Sequence, residues 1–210
     1  MRRLFGLVPN VFFLGLVSLF NDFSNQMIVA VMPAFLVSLG AAPVFIGFLE
    51  GFADALAALL KIPTGWFSDR IRKRKSIAVF GYAISTFTRW GVALAGNIWQ
   101  VFFLRALDRV GKGVREAPRD ALLSQSVARA ELGRSFGFHR AMDNFGGVIG
   151  PIAAVLLLPL LAYDYRALFL VAFGIGLLAV FSFAFVREVP LAQPTQPPRA
   201  FTFSPRAFSR

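Results

Sequence analysis

Six apolar runs dominate the chain, at about residues 10–39, 43–63, 76–96, 98–118, 136–160 and 167–186, each bounded by charge clusters, Gly or Pro. A helix needs about 20 apolar residues to cross the hydrocarbon of a bilayer, so every run is long enough to span. One water-soluble core cannot absorb this much apolar sequence. Hydrophobic residues make up 57% of the 210 and charged residues 16%, against about 25% charged in ordinary soluble domains. The expected fold class is all-α: a polytopic membrane protein whose six transmembrane helices form one bundle over residues 1–190. After Arg187 the composition shifts to Pro190, Pro194, Pro197, Pro198 and Pro205 among Gln, Thr, Ser and Arg. Residues 191–210 therefore read as a flexible, Pro-rich basic tail or the start of a linker.

The first run follows Met1-Arg2-Arg3. Its apolar stretch is too long for a secretory signal, and no small-residue cleavage pattern follows, so it reads as a retained helix. Orientation follows from the loops. Arg2, Arg3, Arg70, Arg72, Lys73, Arg74, Lys75, Arg119, Arg129, Arg134, Arg187, Arg199, Arg206 and Arg210 fall on one side, and Arg166 alone among basic residues falls on the other. Positive residues stay in the cytoplasm. Both termini are thus expected there, in a plasma (inner) membrane.

With no Cys and a single His, thiol nucleophiles, disulfides and imidazole metal clusters have no residues to build them, and no cofactor or metal is expected. No nucleophile and base stand in a recognisable arrangement, so the chain reads as a non-enzyme. The formal charge of +11 points to loops resting on anionic membrane lipids rather than to nucleic acid, given so apolar a chain.

Ionisable groups at membrane depth are costly, so those present mark a protein interior or a watery cavity. In the first span Ser18, Asp22, Asn25 and Gln26 share one face, and in the second Glu50, Asp54 and Lys61 share a stripe. Asp22, Glu50 and Asp54 are candidates for proton or cation coupling; the alternative is interhelical hydrogen bonding or pairing with Lys61. The fourth span carries Arg105, Asp108, Arg109, Lys112, Arg115, Glu116, Arg119 and Asp120, all within about 140° of helical arc. Arg105–Asp108 and Asp108–Lys112 have the spacing of intrahelical ion pairs. The opposite face, with Phe103, Leu107, Val110 and Val114, suits lipid or neighbouring helices. So basic a face suits an anionic substrate or an ionised carboxylate from another span, and Arg115 and Arg119 equally suit lipid headgroups. In the fifth span Gly146, Gly147, Gly150 and Pro151 favour close helix packing and a bend.

Between the second and third spans stands Gly65-Trp66-Phe67-Ser68-Asp69-Arg70-Ile71-Arg72-Lys73-Arg74-Lys75. It resembles the signature loop of the major facilitator superfamily (MFS), G-x-L-A/S-D-R/K-x-G-R-R/K-R/K, with Phe67 in place of Leu and Arg72 in place of Gly. Arg105 to Gly111 is similar to the family's fourth-helix motif R-x-x-Q-G-x-G, and Gly146 to Ala154 to its fifth-helix motif G-x-x-x-G-P-x-x-G. The stretch from Ala117 to Asp143 resembles an uncharacterised bacterial branch of these permeases.

The resemblance implies the N-terminal half of a twelve-helix transporter that moves a small-molecule substrate by alternating access, with proton coupling. It implies substrate or proton handling at Asp22, Arg105 and Asp108, then Glu50 and Asp54; gating at Gly65, Asp69, Arg70 and Arg74; and packing at Gly146, Gly150 and Pro151. It implies a missing C-terminal half as partner. The alternatives are an inactive fragment and a half-size transporter that needs a second copy or a separate half. A lone half would also leave a face lined by Asp22, Glu50, Asp54 and the fourth-span charges uncovered.

Overall fold

The computed structural model describes residues 4–71 and 73–188, apart from the side chains of Ile62, Phe67, Asp69 and Ile71. The tail expected at 191–210 lies outside the described residues. Six long helices follow one another: α1 (Pro9–Ser38), α2 (Pro43–Ile71), α3 (Arg74–Leu94), α4 (Ile98–Gln125), α5 (Leu132–Leu160) and α6 (Tyr165–Ser182), with short 3-10 turns at Arg129–Glu131 and Phe183–Phe185. Lipid offers the backbone no hydrogen bonds, so helices running through the whole span satisfy their own peptide groups.

Local chemistry sets the ends. Pro9 opens α1, where its missing N–H costs nothing. Gly40 closes that helix at φ +85°, with Ala41 N–H on Leu36 O and Gly40 N–H on Val37 O, both at 2.9 Å, the pattern of a Schellman cap. Asn97 caps α4 by accepting from Gln100 N at 3.0 Å. Asp164 caps α6 through Arg166 N at 2.8 Å and Ala167 N at 3.3 Å.

Among the described residues five helices are both long and apolar enough to cross a membrane. The sixth, α4, has 28 residues and is long enough, but its charged residues leave it insufficiently apolar. Its fate answers the amphipathic pattern read from the sequence: Arg105, Asp108, Arg109 and Arg115 are buried, while Trp99, Phe103 and Leu107 are exposed. The bundle solvates α4 on one side and leaves the other, apolar side exposed.

Neighbouring helices run in the order α5, α1, α6, α3, α4, α2. Small residues permit the closest approaches. A Cβ on Gly150 would stand 2.7 Å from Phe23 O of α1, and one on Gly81 of α3 would stand 2.7 Å from Gly111 O of α4. Two apolar clusters result. One holds Met27, Phe35, Leu36, Leu49, Val92, Val101 and Phe169. The other, nearer the end that carries the basic loops, holds Val11, Leu14, Tyr82, Leu122 and Phe183. Between them lies a buried polar layer of Ser18, Asn21, Ser24, Ser85, Arg89, Arg105 and Asp108.

Candidate polar site at mid-bundle

The first part of the layer joins α2 to α4. Arg105 Nη2 donates to both Glu50 oxygens, at 2.9 and 3.0 Å. Arg109 reaches Glu50 Oε2 at 3.4 Å and Asp54 Oδ1 at 3.2 Å. Asp108 Oδ2 lies between the two guanidiniums, 3.6 Å from Arg105 and 3.7 Å from Arg109. Each acid therefore faces at least one guanidinium, which offsets the cost of holding charge away from water.

The span-2 carboxylates meet the basic face of α4, one of the two pairings the sequence allowed, and the two lysines differ from expectation. Lys61 leaves Glu50 and Asp54 to the arginines and binds Glu116 at 2.7 Å. Lys112 also turns to Glu116, at 4.0 Å, while Asp108 sits among arginines. Helical phase fixes the face a charge occupies but not which neighbouring helix supplies its partner. The uncovered charged face expected of a lone half is likewise mostly closed. Arg105, Asp108 and Arg109 are 3%, 5% and 6% exposed, whereas the Asp54 side chain remains 67% exposed.

The second part joins α1, α3 and α5. Arg89 of α3 donates to Ser24 Oγ and Asn21 Oδ1, each at 2.7 Å, and Ser24 in turn donates to Ala172 O of α6. Asn21 Nδ2 donates to Asp22 Oδ1 at 3.0 Å. Asp22 meets the carboxyl of Asp143 on α5. Asp143 also accepts from Ser18 Oγ at 2.6 Å and from Arg140 Nη1 at 3.0 Å. Arg115 donates to Ser85 Oγ and stacks on the Tyr82 ring, 4.5 Å from its centroid. Arg119 pairs with Asp120 at 2.9 Å. Both side chains point into the bundle, so the headgroup alternative for them does not hold here.

Arg89 and Asp143 were not picked out as site residues from the sequence. A lone Arg inside an apolar span, and an Asp one turn before the Gly-rich stretch of α5, were the available signals.

At the basic end, Gly65 faces Ala117 of α4, with a Cβ there meeting Ala117 Cβ at 3.4 Å. Arg70 is exposed and its guanidinium lies over Trp66, 5.3 Å from the ring centroid. Arg74 is buried, and the side chain of Asp69 lies outside the described residues. Glu188 caps α3 by accepting from Arg74 N at 3.0 Å and Lys75 N at 2.9 Å. Gly146 and Gly150 pack on the backbone of α1, and α5 continues unbroken through Pro151.

The model of the Major Facilitator Superfamily matches residues 14–209. The chain belongs to the major facilitator superfamily. An uncharacterised MFS-type transporter of Methanocaldococcus jannaschii is 35% identical over 184 residues, 88% of this chain and 46% of that protein. The inner membrane transport protein YajR of Escherichia coli is 36% identical over 120 residues, 54% of this chain and 25% of that protein. The chain thus spans half the length or less of these MFS relatives. Among solved structures, a peptide transporter POT variant in complex with alafosfalin superposes with TM-score 0.79 at 19% identity, over 90% of this chain and 40% of that one. An inward-facing bacterial homolog of the human lysosomal transporter Spinster gives 0.76 at 18%, over 90% and 45%. At these identities the likeness is one of fold: six helices of the MFS type.

Proposed function

We propose that the chain is one half of a secondary transporter that moves a small solute by alternating access, with protons held at the Asp22–Asp143 pair. The observation that carries this reading is two carboxyls, Asp22 and Asp143, side by side across α1 and α5, in a polar layer enclosed by apolar clusters. Two carboxylates repel unless a proton lies between them. Asp143 already accepts on both oxygens, from Ser18 and Arg140, so Asp22 is the carboxyl placed to carry the proton and to release it when the helices move. Arg89 and Arg115, bound by hydroxyl, amide and aromatic groups, favour an anionic or amphipathic solute. Arg105 and Asp108, buried in ion pairs, position α2 against α4 rather than touching solute.

Alternating access needs an opposing bundle around a midplane site. A second six-helix half, or a second copy, supplies it, and the Gly65–Lys75 loop gates at the interface through Asp69, Arg70 and Arg74. The basic loops place both termini in the cytoplasm of a cell with the protein in its plasma (inner) membrane.

Asp22→Asn tests the coupling. In vesicles containing the complete transporter, it should insert at normal levels and lose uptake driven by a pH gradient; uptake unchanged in rate and pH dependence would refute proton handling. Orientation is checked on a chain free of Cys. Single Cys residues at exposed Ala128 should react only from the cytoplasm, and at exposed Asn97 or Ala162 only from outside.

A further inference from the structure

Four buried polar atoms in the mid-bundle layer have no hydrogen-bond partner; Arg109 Nε still lies 3.2 Å from the Asp54 carboxylate, which leaves three orphans: Arg89 Nε, Arg105 Nε and Asp108 Oδ1. Such orphans are rare inside folded proteins and each calls for a physical account. All three residues line one small cavity of about 10 Å³ between α1, α3 and α4, walled on its apolar side by Ile28, Val92 and Leu104. Arg89, Arg105 and Asp108 are each at least nine-tenths buried.

We propose that this cavity holds one ordered water molecule that accepts from Arg89 Nε and Arg105 Nε and donates to Asp108 Oδ1. The chemistry of the three groups selects the ligand. A bound anion would face the Asp108 carboxylate, a cation would face two guanidiniums, and an apolar group would leave all three atoms unpaired. Only a small species with both lone pairs and an O–H group satisfies two donors and one acceptor. A cavity of roughly 10–15 Å³ is the lower limit for one water, which needs two to four polar partners. The volume admits a single molecule and the site supplies three partners.

The water joins the side chains of the two networks, which already touch where Ser85 Oγ donates to Asp108 O at 3.1 Å. From Asn21 and Ser24 of α1 the hydrogen-bonded path runs through Arg89 of α3, across the water, to Asp108 and Arg105 of α4 and on to Glu50 of α2. A bridging water is nearly as favourable as a direct bond and exchanges partners readily. It therefore joins α3 to α4 where a direct ion pair would have to break before the helices could shift. The site does not depend on whether Asp22 carries protons.

Magnetisation transfer from water protons reads the site directly. With the full chain reconstituted in lipid nanodiscs and its arginines nitrogen-labelled, the Nε–H groups of both Arg89 and Arg105 should receive transfer from water. The Thr88 hydroxyl also lines the cavity and donates to Ser85 O at 2.8 Å, so the transfer should persist in Thr88→Val. Val92→Ile adds a methylene to the wall and should abolish the transfer at both arginines together, while Val92→Ala should keep it. Absence of transfer at either arginine in the unmodified chain overturns the bridge. Loss in Thr88→Val assigns the signal to the hydroxyl and also overturns it, as does transfer unaffected by Val92→Ile.

Discussion

The α2–α4 network and the α1–α3–α5 network hold the same residue types in the same polar layer, yet they are partnered differently. Between α2 and α4 each acid lies against a guanidinium, with Glu50 bridging Arg105 and Arg109 and Asp108 shared by both. Between α1, α3 and α5 the pairing is less complete: Asp22 faces Asp143, whose guanidinium partner Arg140 is exposed, and Arg89 takes the neutral Asn21 and Ser24. A compensated buried ion pair holds two helices in register and has little left to give. A carboxyl pair or a guanidinium on neutral partners can still take up a proton or an anion. Burial alone therefore does not identify the working groups of this layer; the charge of the partner does.

The sharpest break in that contrast would come from Asp143→Asn. In the complete transporter, loss of pH-gradient-driven accumulation with normal abundance is expected, matching Asp22→Asn. Normal accumulation would move the proton site off the pair. On stability the order reverses. Arg105→Ala strips Glu50 and Asp108 of a guanidinium and should destabilise the bundle by roughly 3–5 kcal/mol, measured as a fall in the thermal unfolding midpoint in detergent. Arg89→Leu removes a cation whose partners are neutral, so its cost should be smaller, roughly 1–3 kcal/mol. A larger loss than that of Arg105→Ala would show that Arg89 is the true structural tie. The smallest effect belongs to Asp54→Asn. With the Asp54 side chain 67% exposed, its pair with Arg109 should be worth about 0–1 kcal/mol, and a loss comparable to Arg105→Ala would mean that a second half covers it.

A second contrast separates the helices themselves. Half of the most apolar window of α1 and of α3 is buried inside the bundle, against 17% in α2 and in α5. The helices at the two ends of the packing order keep Val44, Phe48, Leu59, Val148, Val155 and Leu160 exposed. Sequence hydropathy does not distinguish these two kinds of helix, because lipid, protein interior and bundle interface are all apolar.

Much of the fold was legible beforehand. The six runs match the six helices with shifts of a few residues at the far end. The larger extensions, α2 to Ile71 and α4 to Gln125, fall at the basic end, where helices continue past the apolar stretch. The charged stripe of α4 was legible as well, because helical phase alone puts Arg105, Asp108, Arg109 and Arg115 on one face. The partners were legible only as alternatives. Glu50 reads against Lys61 on its own helix or, as a carboxylate from another span, against the basic face of α4, and the second holds: its partner Arg105 lies 55 residues away. Arg89 went unmarked since its neighbours Thr88 and Trp90 show no pattern that announces a site.

The sequence by itself determined how many helices form, where they begin and end on the side away from the basic loops, and which side of α4 is charged. Those properties depend on apolar length, on caps such as Asn97 and Gly40, and on a repeat of about 3.6 residues per turn. Only the tertiary structure decided which charges meet. The helices pack in the order α5, α1, α6, α3, α4, α2, which is not their order along the chain. That order comes from close contacts of Gly81 with Gly111 and of Gly146 and Gly150 with α1, and it brings Asp22 to Asp143 and Glu50 to Arg105.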